Sequence, residues 1–227
     1  MKITLLLLLT LSLSFGSVSA AHAQAINDSN GFDEYLTFDD NQIPPGWAII
    51  YPGGTAGNAG IANQRFQIGQ VDTYATLAKD KTLPLGANEV DISFRCPVKD
   101  IYWGMGCQVH LLMQDGSDFM VSLGKAGYGD EQINVYAGKV GSLTLNQLYA
   151  PDYGDYLLDT SFQDGRMKVT ARKKGSNMPL VSQTIDVPGL TIAQLKTVWL
   201  FGWMTAGSPA WIDDAKILAL EHDSANQ

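Results

Sequence analysis

Apolar residues recur at every second position through most of this chain, and that period restricts its fold more than any other feature. The segment 89–94 alternates polar residues with Val, Ile and Phe, and 103–113 repeats the alternation over a longer stretch. Successive side chains of a β-strand point to opposite faces, so this period is typical of half-buried strands. The pattern predicts an all-β fold, with a single helical turn from Thr191 to Lys196.

Turn residues separate the strand-like segments at intervals of about ten residues. Asp115-Gly116 and Asp164-Gly165 are typical of tight hairpins, because glycine adopts a positive φ without strain. Spacing of this kind gives about 12 to 13 strands, which is more than an immunoglobulin domain carries. We therefore expect a two-sheet antiparallel β-sandwich of the jelly-roll type.

The first 23 residues have the order of features found in a secretory signal peptide. Lys2 is followed by an apolar stretch from Leu5 to Leu13, and Ala21-His22-Ala23 has the small residues of a cleavage site. The apolar stretch is shorter than the roughly 20 residues that span a bilayer, which argues against a membrane anchor. We expect cleavage after Ala23 and export to the periplasm or the exterior.

The chain divides into a signal peptide over 1–23, a flexible leader over 24–31, one sandwich domain over 32–222 and a tail over 223–227. The whole sequence has 15 basic and 23 acidic residues, for a net charge of −8. Nucleic acid and anionic membranes would repel such a protein, so neither is expected as a partner. No later segment predicts a membrane span, and the sequence leaves the oligomeric state open.

The sequence contains two cysteines, Cys96 and Cys107. Export to an oxidising compartment favours a disulfide between them. Both lie in strand-like segments joined by a short turn, so we expect them to pair across a hairpin. A closed zinc site needs four ligands and is not expected from two cysteines alone.

Two short phrases near the ends of the domain are distinctive. Leu36-Thr37-Phe38-Asp39-Asp40 precedes Ile43-Pro44-Pro45-Gly46-Trp47, and the segment 210–217 reads AWIDDAKI. Together they resemble the opening and closing strands of exported bacterial proteins of the concanavalin A-like lectin and glucanase superfamily. Carbohydrate-binding jelly rolls of the galactose-binding type carry similar end phrases. The resemblance implies that the first and last strands lie side by side, so the two phrases should meet in space.

Four aspartates in these phrases, Asp39, Asp40, Asp213 and Asp214, could bind a structural calcium ion through hard carboxylate oxygens. Adjacent residues of a strand point to opposite faces, so at most one of each pair could be a ligand. The alternative is that each aspartate caps a turn or remains solvated. No other cofactor is expected.

Two strand segments resemble catalytic phrases of other jelly rolls. Glu89-Val90-Asp91 resembles the E-x-D-x-x-E strand of laminarinase-type glucanases, but Phe94 occupies the place of the last carboxylate, so the pair for retaining hydrolysis is incomplete. Gln108-Val109-His110 resembles the Q-x-H strand of alginate-lyase-type jelly rolls. That resemblance implies His110, Gln108 and Tyr136 as catalytic residues if the protein is an enzyme. The alternative for His110 is a hydrogen-bonded strand residue without catalytic function.

Candidate ligand-binding residues lie on one strand face and in aromatic-rich loops. If Val109 faces the core, Tyr102, Gln108 and His110 share the opposite face. Exposed loop tyrosines beside carboxylates are typical of binding rims. The ligand-binding candidates are Tyr102, Gln108, His110, Tyr128, Tyr149, Tyr153 and Tyr156. Trp199, Phe201 and Trp203 lie on a strand that is apolar on both faces, so we expect this trio in the core, with the lining of a groove as the alternative.

These observations favour an exported, lectin-like sandwich that binds a carbohydrate and is not an enzyme. The first alternative is a polysaccharide-active enzyme, a lyase or a glycoside hydrolase, that uses the same concave face. The second is a structural or adhesion module whose sheet faces contact other proteins.

Overall fold

The computed structural model describes residues 24–25, 32–51, 59–68, 73–98, 105–125, 133–148, 153–204 and 210–221. The predicted signal peptide lies outside these residues. The strands of the first half are β1 (Gln24–Ala25), β2 (Glu34–Leu36), β3 (Ala48–Ile50), β4 (Ala59–Ala62), β5 (Arg65–Ile68), β6 (Thr73–Asp80), β7 (Glu89–Val98) and β8 (Met105–Met113). Those of the second half are β9 (Asp118–Lys125), β10 (Ile133–Lys139), β11 (Ser142–Leu148), β12 (Gly154–Gln163), β13 (Arg166–Lys173), β14 (Val181–Asp186), β15 (Leu195–Met204) and β16 (Ala210–Glu221).

The described strands form two antiparallel sheets that pack face to face. Sheet 1 has the order β14-β13-β12-β7-β16-β5-β4, and β1 and β2 also pair with β16. Sheet 2 has the order β11-β10-β9-β8-β15-β6-β3. The architecture is an all-β jelly-roll sandwich, as the alternation of apolar residues predicted. Among the described residues, no helix has the length and apolar character required to cross a membrane.

Two predicted hairpin turns are present. Gly116 joins β8 to β9 with a φ of 83°, and Gly165 joins β12 to β13 with a φ of 70°. The predicted helical turn is a 3-10 turn over Ile192–Gln194. Thr191 precedes it but makes no side-chain capping bond, because Asp164 accepts the hydrogen bond from the Ile192 backbone N–H at 2.7 Å.

The first and last strands of the domain meet, as the end phrases implied. Leu36 of β2 lies opposite Ala215 of β16. Residues 24 and 25, which were expected in a flexible leader, instead form β1, and Gln24 pairs with Glu221 at the end of β16. Pairing with β16 thus places these two residues in sheet 1.

The core lies between the sheets and consists of every second side chain of the central strands. Val90, Ile92 and Phe94 of β7 are at most 1% exposed, as are Val109 and Leu111 of β8. Burial of one such aliphatic or aromatic side chain contributes about 1.5–3 kcal/mol. This layer is what orients the remaining side chains of each strand toward the outside.

The two cysteines do not form the predicted disulfide, and both are buried free thiols. The expected hairpin does not exist, because Cys96 lies on β7 in sheet 1 and Cys107 lies on β8 in sheet 2. Both side chains point into the core, where the Cys107 thiol donates a hydrogen bond to the Trp211 carbonyl oxygen at 3.4 Å. Burial raises the pKa of the Cys107 thiol, and the neighbouring Cys96 adds to the effect.

A carboxylate hub connects the N-terminal strands of both sheets. Glu34 of β2 accepts a hydrogen bond from the Trp47 indole N–H at 2.6 Å, and it forms ion pairs with Lys79 and with Lys81, the latter at 2.9 Å. Lys81 is 5% exposed and also donates to the Phe32 carbonyl oxygen at 2.6 Å. Trp47, from the Pro-Pro-Gly-Trp phrase, is thus fixed by a residue of the first strand.

We predict that Glu34→Gln lowers the free energy of unfolding by about 3–5 kcal/mol, because it removes the carboxylate that pairs with the buried Lys81 ammonium. Glu221→Gln is the control, since Glu221 is exposed at the end of β16 and its neutralisation should change stability by less than about 0.5 kcal/mol. Urea denaturation measures both. Equal denaturation midpoints for the two variants would show that the ion pairs of Glu34 do not stabilise the fold.

Candidate functional site

The outer face of sheet 2 carries aromatic and amide side chains. Trp199, Phe201 and Trp203 of β15 point to this face and are half-buried, whereas Val198 and Leu200 are fully buried in the core. The expectation that the aromatic trio lies in the core was therefore wrong. One face of β15 is enough to fill the core, and the aromatic side chains of the other face shield one another, with the Phe201 and Trp203 ring centroids 6.5 Å apart.

A cavity of about 310 Å³ opens in this face. It lies between β15 on one side and β10 and β11 on the other, with β8 and β9 beneath it. The described residues that line it are Gln108, Met120, Ser122, Gly124, Asn134, Tyr136, Leu143 and Trp203. None of these side chains is charged at neutral pH, so the cavity combines an aromatic wall with neutral hydrogen-bonding groups.

Two glycines make room for the indole of Trp203. Gly106 of β8 and Gly124 of β9 lie directly opposite each other. A Cβ at Gly106 would be 2.1 Å from Cη2 of Trp203, and one at Gly124 would be 2.8 Å from the same atom. The absence of a side chain at Gly106 leaves space on the outer face of the sheet. That space is occupied by the Trp203 ring, which then forms the wall of the cavity.

Asn134 is one of several lining residues that the sequence did not single out, and it is the one with a buried polar group that lacks a partner among the described residues. It is 2% exposed, and its side-chain oxygen has no hydrogen-bond partner in the described part of the chain. An unpaired buried acceptor costs about 1–3 kcal/mol. The alternation of Ile133, Asn134 and Val135 places Asn134 on the outer face of β10, which was the available signal, but alternation does not show that the side chain would be buried there.

His110 and Gln108 lie on the same outer face, in a hydrogen-bonded chain. His110 Nδ1 is 2.9 and 3.1 Å from the two carboxylate oxygens of Asp118, and Nε2 is 2.8 Å from Oε1 of Gln108. Gln108 Nε2 donates to Ser122 Oγ at 3.4 Å. Because both ring nitrogens have partners within the protein, the geometry matches the alternative interpretation of His110 as a hydrogen-bonded strand residue.

The predicted tyrosines do not gather at one site. Tyr136 lines the cavity, whereas Tyr153 is half-buried and packs against the core. Tyr156 was predicted to bind ligand, and this prediction was wrong because its side chain is 0% exposed and points into the core from β12, opposite Cys96. The remaining candidates, Tyr102, Tyr128 and Tyr149, lie outside the described residues.

The first two aspartates predicted to bind calcium are engaged in local turns. Asp39 accepts a hydrogen bond from the Thr37 hydroxyl at 2.8 Å, and Asp40 accepts one from the Gln42 backbone N–H at 3.0 Å. Both match the alternative interpretation of turn-capping residues.

The other two aspartates are paired with arginines. Asp213 is 2.7 Å from the Arg95 guanidinium and 3.4 Å from that of Arg65, and Asp214 is 2.5 Å from Arg95. Burial raises the pKa of Asp213, although both arginines oppose that change. Among the described residues, no group of three or more histidine, cysteine or acidic side chains that could hold a metal ion is found. The structure thus shows no metal site at the four aspartates in that part of the chain.

A second and larger cavity, of about 530 Å³, lies on the outer face of sheet 1. Glu89 and Asp91, which resembled part of a glucanase phrase, line it from β7, whereas Phe94 is buried in the core. Glu89 accepts hydrogen bonds from the Ser161 hydroxyl and the Gln163 amide. These carboxylates are thus on the opposite side of the sandwich from the aromatic face.

No protein-family model and no curated protein matches the sequence. Solved structures do match the fold. The CBM2 module of the evolved Dit of Lactobacillus casei BL23 phage J-1 is 14% identical, with a TM-score of 0.62 over 84% of this chain and 96% of the module. Basic winged bean lectin with Tn-antigen is 9% identical, with a TM-score of 0.55 over 82% of this chain and 97% of the lectin.

Xylan β-1,4-xylosidase from Bacillus halodurans C-125 is also similar, at 14% identity and a TM-score of 0.56 over 83% of this chain and 39% of the xylosidase. The architecture that these proteins share with this chain is the concanavalin A-like jelly roll. The predicted fold is confirmed.

We predict that Gly106→Ala lowers the free energy of unfolding by about 1–3 kcal/mol, because the added methyl group would overlap both the Trp203 ring and the Leu123 carbonyl oxygen. Gly60→Ala in β4 is the matched control, since nothing lies within 4 Å of the added Cβ. Urea denaturation, with near-ultraviolet circular dichroism to monitor the indoles, measures both variants. Identical curves for Gly106→Ala and the parent protein would show that Trp203 does not lie against this glycine.

Proposed function

We propose that this protein is an exported, lectin-like sandwich that binds a carbohydrate in the cavity on the outer face of sheet 2 and performs no chemistry there. The observation that carries the proposal is that Trp203 and Asn134 line the same cavity, and that the side-chain oxygen of Asn134 has no hydrogen-bond partner among the described residues. A sugar presents apolar C–H groups and hydroxyl donors on one molecule, so it could satisfy both.

The remaining polar groups of the cavity suit such a ligand. Ligand sites are mostly apolar with a few placed polar groups, and here Met120 and Leu143 complete the apolar lining while Gln108 and Ser122 add amide and hydroxyl groups. Tyr136 contributes a ring with a hydroxyl at its tip. Binding of a sugar hydroxyl to Asn134 would remove the cost of an unpaired buried acceptor.

The cavity favours a neutral sugar over a uronate. The described lining contains no cation that could neutralise a carboxylate, and the net charge of −8 would repel a polyanion. His110, which the lyase alternative needs as a base, is hydrogen-bonded at both ring nitrogens. Glycoside hydrolysis needs two carboxyl groups that flank the scissile glycosidic bond. Glu89 and Asp91, the carboxylates that resembled a glucanase phrase, line the cavity of sheet 1 and not this one. These observations support binding without catalysis.

The structural neighbours agree with a carbohydrate ligand. The winged bean lectin was crystallised with Tn-antigen, and the third neighbour named above is a xylan β-1,4-xylosidase. Export rests on the signal-like residues 1–23, and the pairing of Gln24 in β1 is consistent with cleavage just before the folded domain.

We predict binding to at least one neutral glycan on an array, and an affinity at least about tenfold lower in Trp203→Ala and in Asn134→Ala, equivalent to about 1.4 kcal/mol each. Tyr35→Ala is the control, because Tyr35 is 69% exposed on β2 of sheet 1 and should not contact the ligand. Isothermal titration with the array hit measures the affinities. A blank array, or unchanged affinity in both cavity variants, would refute the proposal.

Export predicts a mature protein that begins at Gln24. Expression of the full sequence in a Gram-negative host, followed by intact-mass measurement of the periplasmic and culture fractions, tests this. A protein that keeps residues 1–23 and remains with the cytoplasm would show that the segment is not a cleaved signal.

A further inference from the structure

The ring of His110 is held between one carboxylate and one amide. Asp118 of β9 lies at Nδ1 and Gln108 of its own strand lies at Nε2. From β15 the ring faces two uncharged aromatic side chains, Trp199 and Phe201, at centroid distances of 5.8 and 5.9 Å. On the described part of the neighbouring strand β6, Asp80 accepts a hydrogen bond from the Thr197 hydroxyl at 2.6 Å. Asp118 is therefore the charged partner of the ring.

The carboxylate of Asp118 fixes the tautomer of His110. An ionised carboxylate only accepts hydrogen bonds, so Nδ1 carries a hydrogen in both protonation states of the ring. In the imidazolium form, Nε2 also carries a hydrogen and donates to Oε1 of Gln108, which is the arrangement described above. In the neutral form, Nε2 becomes an acceptor, and Gln108 must turn its amide so that its NH₂ group donates to the ring.

Rotation of the Gln108 amide changes the hydrogen bond that Gln108 forms with Ser122, which lines the cavity. With His110 protonated, Gln108 Nε2 faces Ser122 Oγ at 3.4 Å, so Ser122 accepts and its own hydrogen is free to donate. With His110 neutral, the amide oxygen of Gln108 faces Ser122, which then donates to it and keeps an oxygen lone pair for another donor. Ser122 and Gln108 both line the cavity with Trp203.

We propose that protonation of His110 inverts the hydrogen-bond polarity of the Gln108–Ser122 pair, so that the cavity offers a donor to its ligand in acid and an acceptor at higher pH. Asp118 and His110 are positioning residues in this scheme and do not contact the ligand. The consequence for sugar binding rests on the proposed function, whereas the inversion itself does not.

The inversion can be tested without any ligand. In ¹⁵N-labelled full-length mature protein, the side-chain NH₂ signals of Gln108, assigned by their loss in Gln108→Met, should shift with pH at the same midpoint as the His110 ring nitrogens. In His110→Asn the Gln108 signals should no longer shift. If that variant fails to fold, Asp118→Asn serves instead, because loss of the carboxylate frees the tautomer and should uncouple the two midpoints. Gln108 signals that stay constant while His110 titrates would overturn the proposal.

A second measurement tests the effect on binding. Affinity electrophoresis through hydroxyethylcellulose, xylan and β-1,3-glucan, run at several pH values across the His110 midpoint, should give retardation that changes with pH in the parent and not in His110→Asn. Retardation that is equal at all pH values would refute the effect on binding. No retardation in any of the three polymers would count against the proposed function, and the Gln108 signals would still decide the inversion.

Discussion

Each strand of sheet 2 contributes side chains both to the core and to the outer face of the sheet, because successive side chains point to opposite faces. On β15 the inner face supplies Val198 and Leu200 to the core, and this fixes Trp199, Phe201 and Trp203 on the outer face regardless of their hydrophobicity. On β8 the same constraint sends Val109 inward and Gln108 with His110 outward. The core therefore determines which side chains are available to the site, and the cavity is a consequence of how the sandwich is filled.

The cavity also needs positions without side chains. A large indole can rest against a sheet only where neighbouring strands carry no Cβ beneath it, and Gly106 and Gly124 supply that on adjacent strands. The Trp203 ring then forms a wall of the cavity, which Ser122 and Asn134 also line. Thus one pair of glycines converts a flat sheet face into a concave one with an aromatic side.

Local pattern was sufficient to predict the all-β class, the hairpins at Gly116 and Gly165, and the common face of Gln108 and His110, because each depends on residues close in sequence. Pairing between distant strands was not accessible in this way. Cys96 and Cys107 are eleven positions apart, yet their strands belong to different sheets, so the predicted hairpin between them was wrong; the two thiols are neighbours in the core and are free. Tyr156 was assigned to a loop and lies in a strand with its ring in the core. Asn134 was missed because burial on an outer face arises only from neighbouring strands.

The two cavities of the sandwich differ in how their polar groups are satisfied, and this difference decides which one suits a neutral ligand. On sheet 1, Glu89 already accepts hydrogen bonds from Ser161 and Gln163, and Asp159 pairs with Arg172 at 2.6 Å, so a ligand would compete with bonds that already exist. On sheet 2, the buried side-chain oxygen of Asn134 has no hydrogen-bond partner among the described residues, so a ligand would displace none of their bonds to it. A sugar hydroxyl that donates to this oxygen loses a hydrogen bond to water and forms one to the protein. It also removes the free-energy cost of the unpaired acceptor, so this bond contributes more to binding than a hydrogen bond to a group that was already hydrated. The face with fewer charges therefore provides the stronger reason for a sugar to bind.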